Sequence, residues 1–485
     1  MNKAPQQRKL AFIYKFTTRR LLIAILLLAT FAMALRETQD ADLWWHLATG
    51  RYILDHHTIP HTDIFSYTKF GTRWYTHEWL SEVVLYSSYQ LGTDAALIFL
   101  TAACVTLTIW LLYKQCPGNP YIVVFILILG ATASAITWGT RPQMLTFMLA
   151  AWFMLLVEQY RQGKTWPLWA IPLTMILWVN VHAGFFMGLG LLGVVLFGDG
   201  AARLLDITTK RTLTFAAWRN LALSLMATLA ATLLNPNGYH MLIYPFDTLK
   251  SSAMQAYIQE WASPNFHNHS FWPLGMLLLG GAALLVWLRK RIEITDLLLF
   301  FGLGFASLIS ARHIPLFVVV SVPVIARALQ DFPLTLQGHS YPLINWGILG
   351  VAICAVTLRF YTVWERNYEY EITHYPSHAI AYIQHEHLYR QHIYNSYNWG
   401  GYLIWKDIPV YIDGRADVYM DAFIEEYLLA YQLRGEWRLP LEKYAVDYIL
   451  VESQASFVAL LRESPEWHTV YEDDLAIIFT KHATP

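Results

Sequence analysis

The residues of this chain best suited to chemistry gather in its polar stretches. The first opens Glu37-Thr-Gln-Asp40-Ala-Asp42-Leu-Trp44-Trp45-His46. Two acids at i and i+2 can hold a divalent cation, or one can take a hydroxyl proton as general base. Trp44 and Trp45 can stack on a sugar ring, lie beside a lipid chain or belong to an aromatic belt at a membrane surface. The plainer alternative is an acidic loop flanked by such a belt. The same stretch runs on through Asp63 and Arg73 to Thr76-His77-Glu78-Trp79. A carboxylate near an apolar layer is costly unless paired, so Glu78 calls for a partner in His77 or Arg73. Glu78 suits a structural and a functional role equally, whereas Asp63 reads as structural. Thr76 can cap a helix lying in the interface.

Cations recur in three further turns: Arg141 in 139–142, His182 in 180–182, and Arg312 with His313 in 311–313. Together they can clamp a phosphate, the arginines bidentately; singly, each fits ordinary snorkelling. The turn 235–238 and the run Glu260-Trp-Ala-Ser-Pro264 read as structural. Later come Asn398-Trp399-Gly400-Gly401 and Asp413-Gly414-Arg415-Ala416-Asp417. These fit either a binding loop or turn chemistry with an Asp413–Arg415 or Arg415–Asp417 pair. No Walker loop, Gly-x-Gly-x-x-Gly or His-Glu-x-x-His occurs, so nothing supports a nucleotide site.

The elements that must position these residues are largely membrane-bound. The chain has 485 residues, 14% charged and 56% hydrophobic, with a mean hydropathy of +0.34. Ordinary globular chains carry roughly 25% charged residues. A soluble protein cannot hide this much apolar side chain, which excludes a soluble multidomain enzyme, a disordered chain and a disulfide scaffold. A net charge of −1 draws no nucleic acid. Cys104, Cys116 and Cys354 read as small hydrophobes. Eleven apolar runs, near 21–38, 93–113, 121–138, 143–157, 166–179, 184–198, 213–234, 270–288, 295–310, 314–328 and 342–358, predict a polytopic α-helical membrane protein of about 11 transmembrane helices. The basic N-terminus (Lys3, Arg8, Lys9, Lys15, Arg19 and Arg20) and inner-segment cations such as Arg289-Lys290-Arg291 predict a cytoplasmic N-terminus and an outer C-terminus. The domains are then 1–358, transmembrane with a first outer loop at 36–92, and 359–485, an extracytoplasmic α/β domain. In the latter, 376–391 predicts an amphipathic helix, and 409–412, 447–451 and 475–480 predict strands.

This pattern resembles the GT-C membrane glycosyltransferases, among them protein mannosyltransferases, the aminoarabinose transferase acting on lipid A and the oligosaccharyltransferase catalytic subunit. It is more closely similar to a group of bacterial multi-span proteins. The resemblance rests on 42–46, 60–67, 77–80, 141–143, 178–182, 235–238, 312–315, 399–402 and 413–415. It implies an enzyme of the bacterial plasma membrane that moves a sugar from a polyprenyl-phosphate donor to an extracytoplasmic glycan, lipid or protein. It implies an acid in the first loop as base or metal ligand, Asp42 in preference to Asp40, with Mg2+ or Mn2+ as the metal where one is used. Glu78 would be a second acid near the acceptor. Arg141, His182, Arg312 and His313 would meet the lipid phosphate. Trp44, Trp45, His46, His77, Trp399, Asp413 and Arg415 would meet substrate. The other reading is a non-catalytic membrane protein, either a lipid-linked sugar translocase or an envelope-assembly scaffold. A translocase should carry acids at the bilayer midplane, and few charges fall there.

Overall fold

The computed structural model describes residues 16–257, 259–288, 292–334 and 340–481. Lys3, Arg8, Lys9, Lys15 and Arg289-Lys290-Arg291 lie outside the described residues.

A helix stands at each of the eleven apolar runs. Among the described residues six helices are long and apolar enough to cross a membrane: Trp79–Gln115, Pro120–Thr137, Phe185–Leu204, His269–Trp287, Ala311–Ala328 and Pro342–His374. Pro167–Val181 and Ile294–Ile309 are shorter apolar helices. Local sequence sets several of their starts. Asn119 accepts from the Tyr121 N–H with Pro120 at the first helical position, and Thr214 accepts from the Ala217 N–H. Large apolar side chains such as Phe125, Phe197 and Val351 face outward, as a surface bathed in lipid requires and one bathed in water penalises. At one end of the bundle an ion network ties the helices. Arg161 pairs with Asp199 and Glu293, Arg211 with Glu158, and Arg327 with Asp296.

The span expected to begin at residue 93 belongs to a longer helix, Trp79–Gln115, broken at Gly92 and Thr93. Its first part packs on the helix Leu43–His56, which folds from the stretch expected to be loop. The two backbones touch at Gly50, where a Cβ would overlap the Glu82 carbonyl.

After the long helix Pro342–His374 the chain forms a four-stranded sheet of β1 (Ile393–Asn395), β2 (Tyr448–Glu452), β3 (Trp467–Glu472) and β4 (Ala476–Lys481). The order is β1-β2-β4-β3, with β1 parallel to β2 and the other pairs antiparallel. The expected strands at 447–451 and 475–480 are β2 and β4, and the expected helix at 376–391 is Ser377–His385 with a 3₁₀ turn after it. The expected strand at 409–412 is not in the sheet. It lies extended against the first loop, where the Val410 N–H donates to Phe65 O (3.2 Å) and the Tyr67 N–H donates to Val410 O (3.1 Å). Leu43, Trp44 and Leu47 of the first loop share one core with Tyr402, Ile412 and Leu450 of the sheet unit. The two polar regions therefore fold together.

Candidate functional site

Between these two regions and the ends of the helices opens a cavity of about 810 Å³. Asp40, Asp42 and Arg141 line one wall; Tyr257, Tyr397, Trp399, Tyr427 and Glu452 line others. The sequence places the acids just after the first span, where the chain turns into Leu43–His56. The Asp42 N–H donates to Asp40 Oδ1 (2.9 Å), and one turn on Trp45 Nε1 donates to Asp42 Oδ1 (3.1 Å). That bond leaves Oδ2 toward Arg141, whose Nη2 is 3.8 Å away. Arg141 sits in the expected turn and also pairs with buried Asp40 and with Glu260. Three carboxylates thus converge on one guanidinium.

Asp42 is 31% exposed and faces this cavity. Burial pushes its carboxyl up to about 7; the Trp45 hydrogen bond opposes this, and the carboxylates of Glu260, Asp413 and Glu78 add to it. A carboxylate so placed can exchange a proton near neutral pH. Glu260, read from the sequence as structural, is held on the far side of Arg141. The Ser310 hydroxyl donates to its carbonyl (2.9 Å) and the Ala311 N–H donates to Ala262 O (3.0 Å). The next residue but one, Arg312, stacks over Trp261 at 4.5 Å from the ring centroid.

A second group of titratable residues lies behind Trp45, whose ring rests 3.6 Å from that of His46. Glu78 there meets His77 (3.4 Å), His182 (3.3 Å) and His46 (3.7 Å). The partner expected in His77 is present; Arg73 instead covers the Tyr75 ring. Burial opposes ionisation of Glu78, but the three histidines outweigh it and hold the carboxyl far below its usual range. Burial also works against charge on His77, yet Glu78 and Asp417 overcome it and His77 is raised. Burial lowers both His46 and His182 to about 4. Of the three, His77 is the one whose surroundings favour the protonated form, and those of His46 and His182 favour the neutral one. The Gly184 N–H donates to His182 Nδ1 (2.9 Å), which leaves the His182 proton on Nε2, pointing at Glu78. Thr76 does not cap the following helix; its hydroxyl donates to Pro60 O.

The remaining expected contacts fall elsewhere. Trp44 and Trp45 are buried in the shared core, Trp44 edge-on to Tyr402. A sequence alone shows no element that would cover them. Asp413 and Arg415 form the pair read as the alternative to a binding loop, and their side chains have no exposure at all. Arg415 Nη1 also donates to Asp63 Oδ1 (2.7 Å), so the pair fastens the sheet unit to the first loop. What reaches the cavity there is Gly414, packed so close to Asp42 that a Cβ would overlap its Oδ1. His313 lies in the first turn of Ala311–Ala328 beside Arg312, outside the cavity lining. Asp417, read from the sequence as an alternative partner of Arg415, instead accepts from the hydroxyl of Tyr244 (3.3 Å), a residue not singled out by sequence. Among the described residues no three His, Cys, Asp or Glu side chains are arranged to hold a metal ion.

No family model matches the chain, and no curated protein matches it in sequence. Solved structures do match in fold. An Archaeoglobus fulgidus oligosaccharyltransferase, AglB, in complex with an inhibitory peptide and a dolichol-phosphate, aligns with a TM-score of 0.54 at 11% identity, over 89% of this chain and 69% of that one. Its apo form aligns with a TM-score of 0.55 at 10% identity, over 96% and 75%. ArnT from Cupriavidus metallidurans, bound to undecaprenyl phosphate, aligns with a TM-score of 0.53 at 12% identity, over 96% of this chain and 98% of that one. At such identities the likeness is one of fold. The chain shares the fold of these solved structures.

Proposed function

We propose that this protein is a membrane glycosyltransferase that moves a sugar from a polyprenyl-phosphate donor to an acceptor at the outer membrane face. The observation that carries the reading is Asp42, a carboxylate near neutral titration, beside Arg141 in an aromatic-walled cavity of the shared fold. Its fold neighbours were solved with dolichol-phosphate and with undecaprenyl phosphate. On this reading Asp42 takes the proton of the acceptor hydroxyl as its oxygen bonds to the sugar carbon. The sugar–phosphate bond breaks, and the phosphate leaves on its lipid. Arg141, with Arg312 behind it, would neutralise that phosphate, whereas His182 faces Glu78 and His313 lies outside the cavity lining. Asp40 holds Arg141 in place. Glu78 would steer the acceptor side through His77, His46 and His182. Trp399 offers the sugar an aromatic edge, Trp45 holds Asp42 through its Nε1–H, and the buried Trp44, Asp413 and Arg415 brace the first loop that carries it. We place the chain in a bacterial plasma membrane with about 11 crossings, a cytoplasmic N-terminus and an extracytoplasmic 359–485 domain.

Asp40, Asp42 and Glu260 are hard oxygen donors of the kind Mg2+ and Mn2+ take, and an AglB structure was solved with Zn. Here, however, the three converge on Arg141, which occupies the position a cation would need. No step above requires a metal.

The test is release of undecaprenyl phosphate from a panel of its sugar phosphodiesters by the purified chain in lipid. Asp42→Asn should lower turnover by about 10²–10⁴, the usual contribution of a general base, with unfolding unchanged. A wild-type chain that binds no polyprenyl phosphate, or an Asp42→Asn chain that turns over normally, overturns the reading. A reporter fused after Pro485 should be active only outside the cytoplasm.

A further inference from the structure

A second recess, of about 620 Å³, opens between the first-loop hairpin and the turn at 235–240. Trp74 forms its inner wall and separates it from the Asp42 cavity, since the other side of Trp74 packs against Trp45. The recess differs from that cavity in charge. His61, Arg73 and His240 line it, and no acidic residue among the described residues does. The Asp42 cavity, in contrast, carries Asp40, Asp42 and Glu452 against Arg141.

Its arginine is ordered yet unspent. The Arg73 guanidinium lies 4.8 Å from the Tyr75 ring centroid. Among the described residues it has no carboxylate partner. The same tyrosine braces His240, with its hydroxyl 3.4 Å from Nδ1. Hairpin bonds fix the register of this wall: the Trp74 N–H donates to His61 O (2.9 Å) and the Asp63 N–H donates to Thr72 O (2.8 Å). Tyr239, 61% exposed, offers a flat ring at the rim. Gly71 and Gly238, both at positive φ, leave open space where side chains would intrude.

An unpaired arginine fixed over an aromatic ring binds phosphate or carboxylate well, because its fork is pre-organised and its charge is not already neutralised. An exposed tyrosine ring suits the apolar face of a sugar. The volume lies in the ~300–1,000 Å³ range of small-molecule sites. We propose that this recess binds an anionic sugar, phosphorylated or carboxylated, at a site separate from Asp42. The inference does not depend on the transferase reading, because it concerns binding and not turnover.

The test titrates glucose 6-phosphate, and glucose as the uncharged control, into the purified full chain in neutral detergent, with binding read by calorimetry. Glucose 6-phosphate should bind saturably and glucose should not. Arg73→Ala should weaken binding by about tenfold or more, as loss of a charge-assisted bond does, and His240→Ala by less. Arg73 is exposed, so the variant should unfold like the parent, which thermal unfolding checks. Asp42→Asn should bind as wild type. Repeating the titration in nanodiscs separates the sources of the anion. If phosphatidylglycerol abolishes binding and phosphatidylcholine does not, a lipid headgroup is the occupant; if neither does, a soluble or glycan-borne anion is. Absence of binding in detergent and in phosphatidylcholine overturns the proposal. Equal binding by Arg73→Ala, or loss of binding in Asp42→Asn, overturns it as well.

Discussion

Replacing Arg415 by methionine should unfasten the first loop and the sheet unit from each other. The guanidinium is fully buried and donates to Asp63 Oδ1 (2.7 Å), Asp413 Oδ1 (2.8 Å) and Asp413 Oδ2 (2.7 Å). Trp74 and Phe65 stack on it at 4.6 and 5.1 Å. Methionine fills much of the space but leaves two buried carboxylates without their cation. Breaking a buried pair in this way costs about 3–5 kcal/mol, and the lost cation–π contacts add ~0.5–2 kcal/mol. We expect Arg415→Met to destabilise the outer unit by about 4 kcal/mol, measured by urea unfolding in detergent. The triple variant Asp63→Asn/Asp413→Asn/Arg415→Met should recover most of that, because the orphaned charges are gone. A single variant costing under about 1 kcal/mol, or a triple variant as unstable as the single, would refute the account of the latch.

Gly414→Ala should lower turnover while leaving unfolding nearly unchanged, since the added methyl displaces Asp42 and not the core; kcat measured beside a melting curve separates the two. Turnover should rise with pH on a limb near 7 as Asp42 ionises, and that limb should vanish in Asp42→Asn. His77 is raised by Glu78 and Asp417, so its contribution to folding is full below the unfolded histidine value of about 6.5 and fades as pH climbs through the folded value. His77→Gln should flatten that slope in unfolding measured across pH 6 to 9 as about six steps.

What was legible in the sequence was what local pattern encodes. Apolar runs located the helices, and the break at 180–184 fell between Pro167–Val181 and Phe185–Leu204. Asp413 and Arg415 lie two residues apart, so their pairing could be read directly. The third member, Asp63, could not be matched to them, because 352 residues separate it from Arg415. Glu260 was passed over for the same reason: its partner Arg141 is 119 residues away, and nothing in its own surroundings marks it. The segment 409–412 misled because its pattern is that of a strand, while its hydrogen-bond partner lies in the first loop rather than in the sheet.

On the proposed reading, Arg141 is the residue on which the chemistry turns. It is one cation facing Asp40, Asp42 and Glu260. A lipid phosphate entering the cavity would be a fourth anion competing for it, in a setting where such interactions are poorly screened. Drawing Arg141 toward the phosphate removes the positive charge nearest Asp42 and makes that carboxylate a stronger base, so donor binding would itself prepare the proton acceptor. The consequence can be measured. Arg141→Gln should move the rising limb of the pH–turnover profile above about 7, because Asp42 loses its cation, and should also weaken donor binding. Arg141→Lys keeps the charge without the fork, so the limb should stay near its place while donor affinity still falls. If Arg141→Gln leaves the limb where it was, Arg141 does not tune Asp42, and its three carboxylates serve only to hold the loops together.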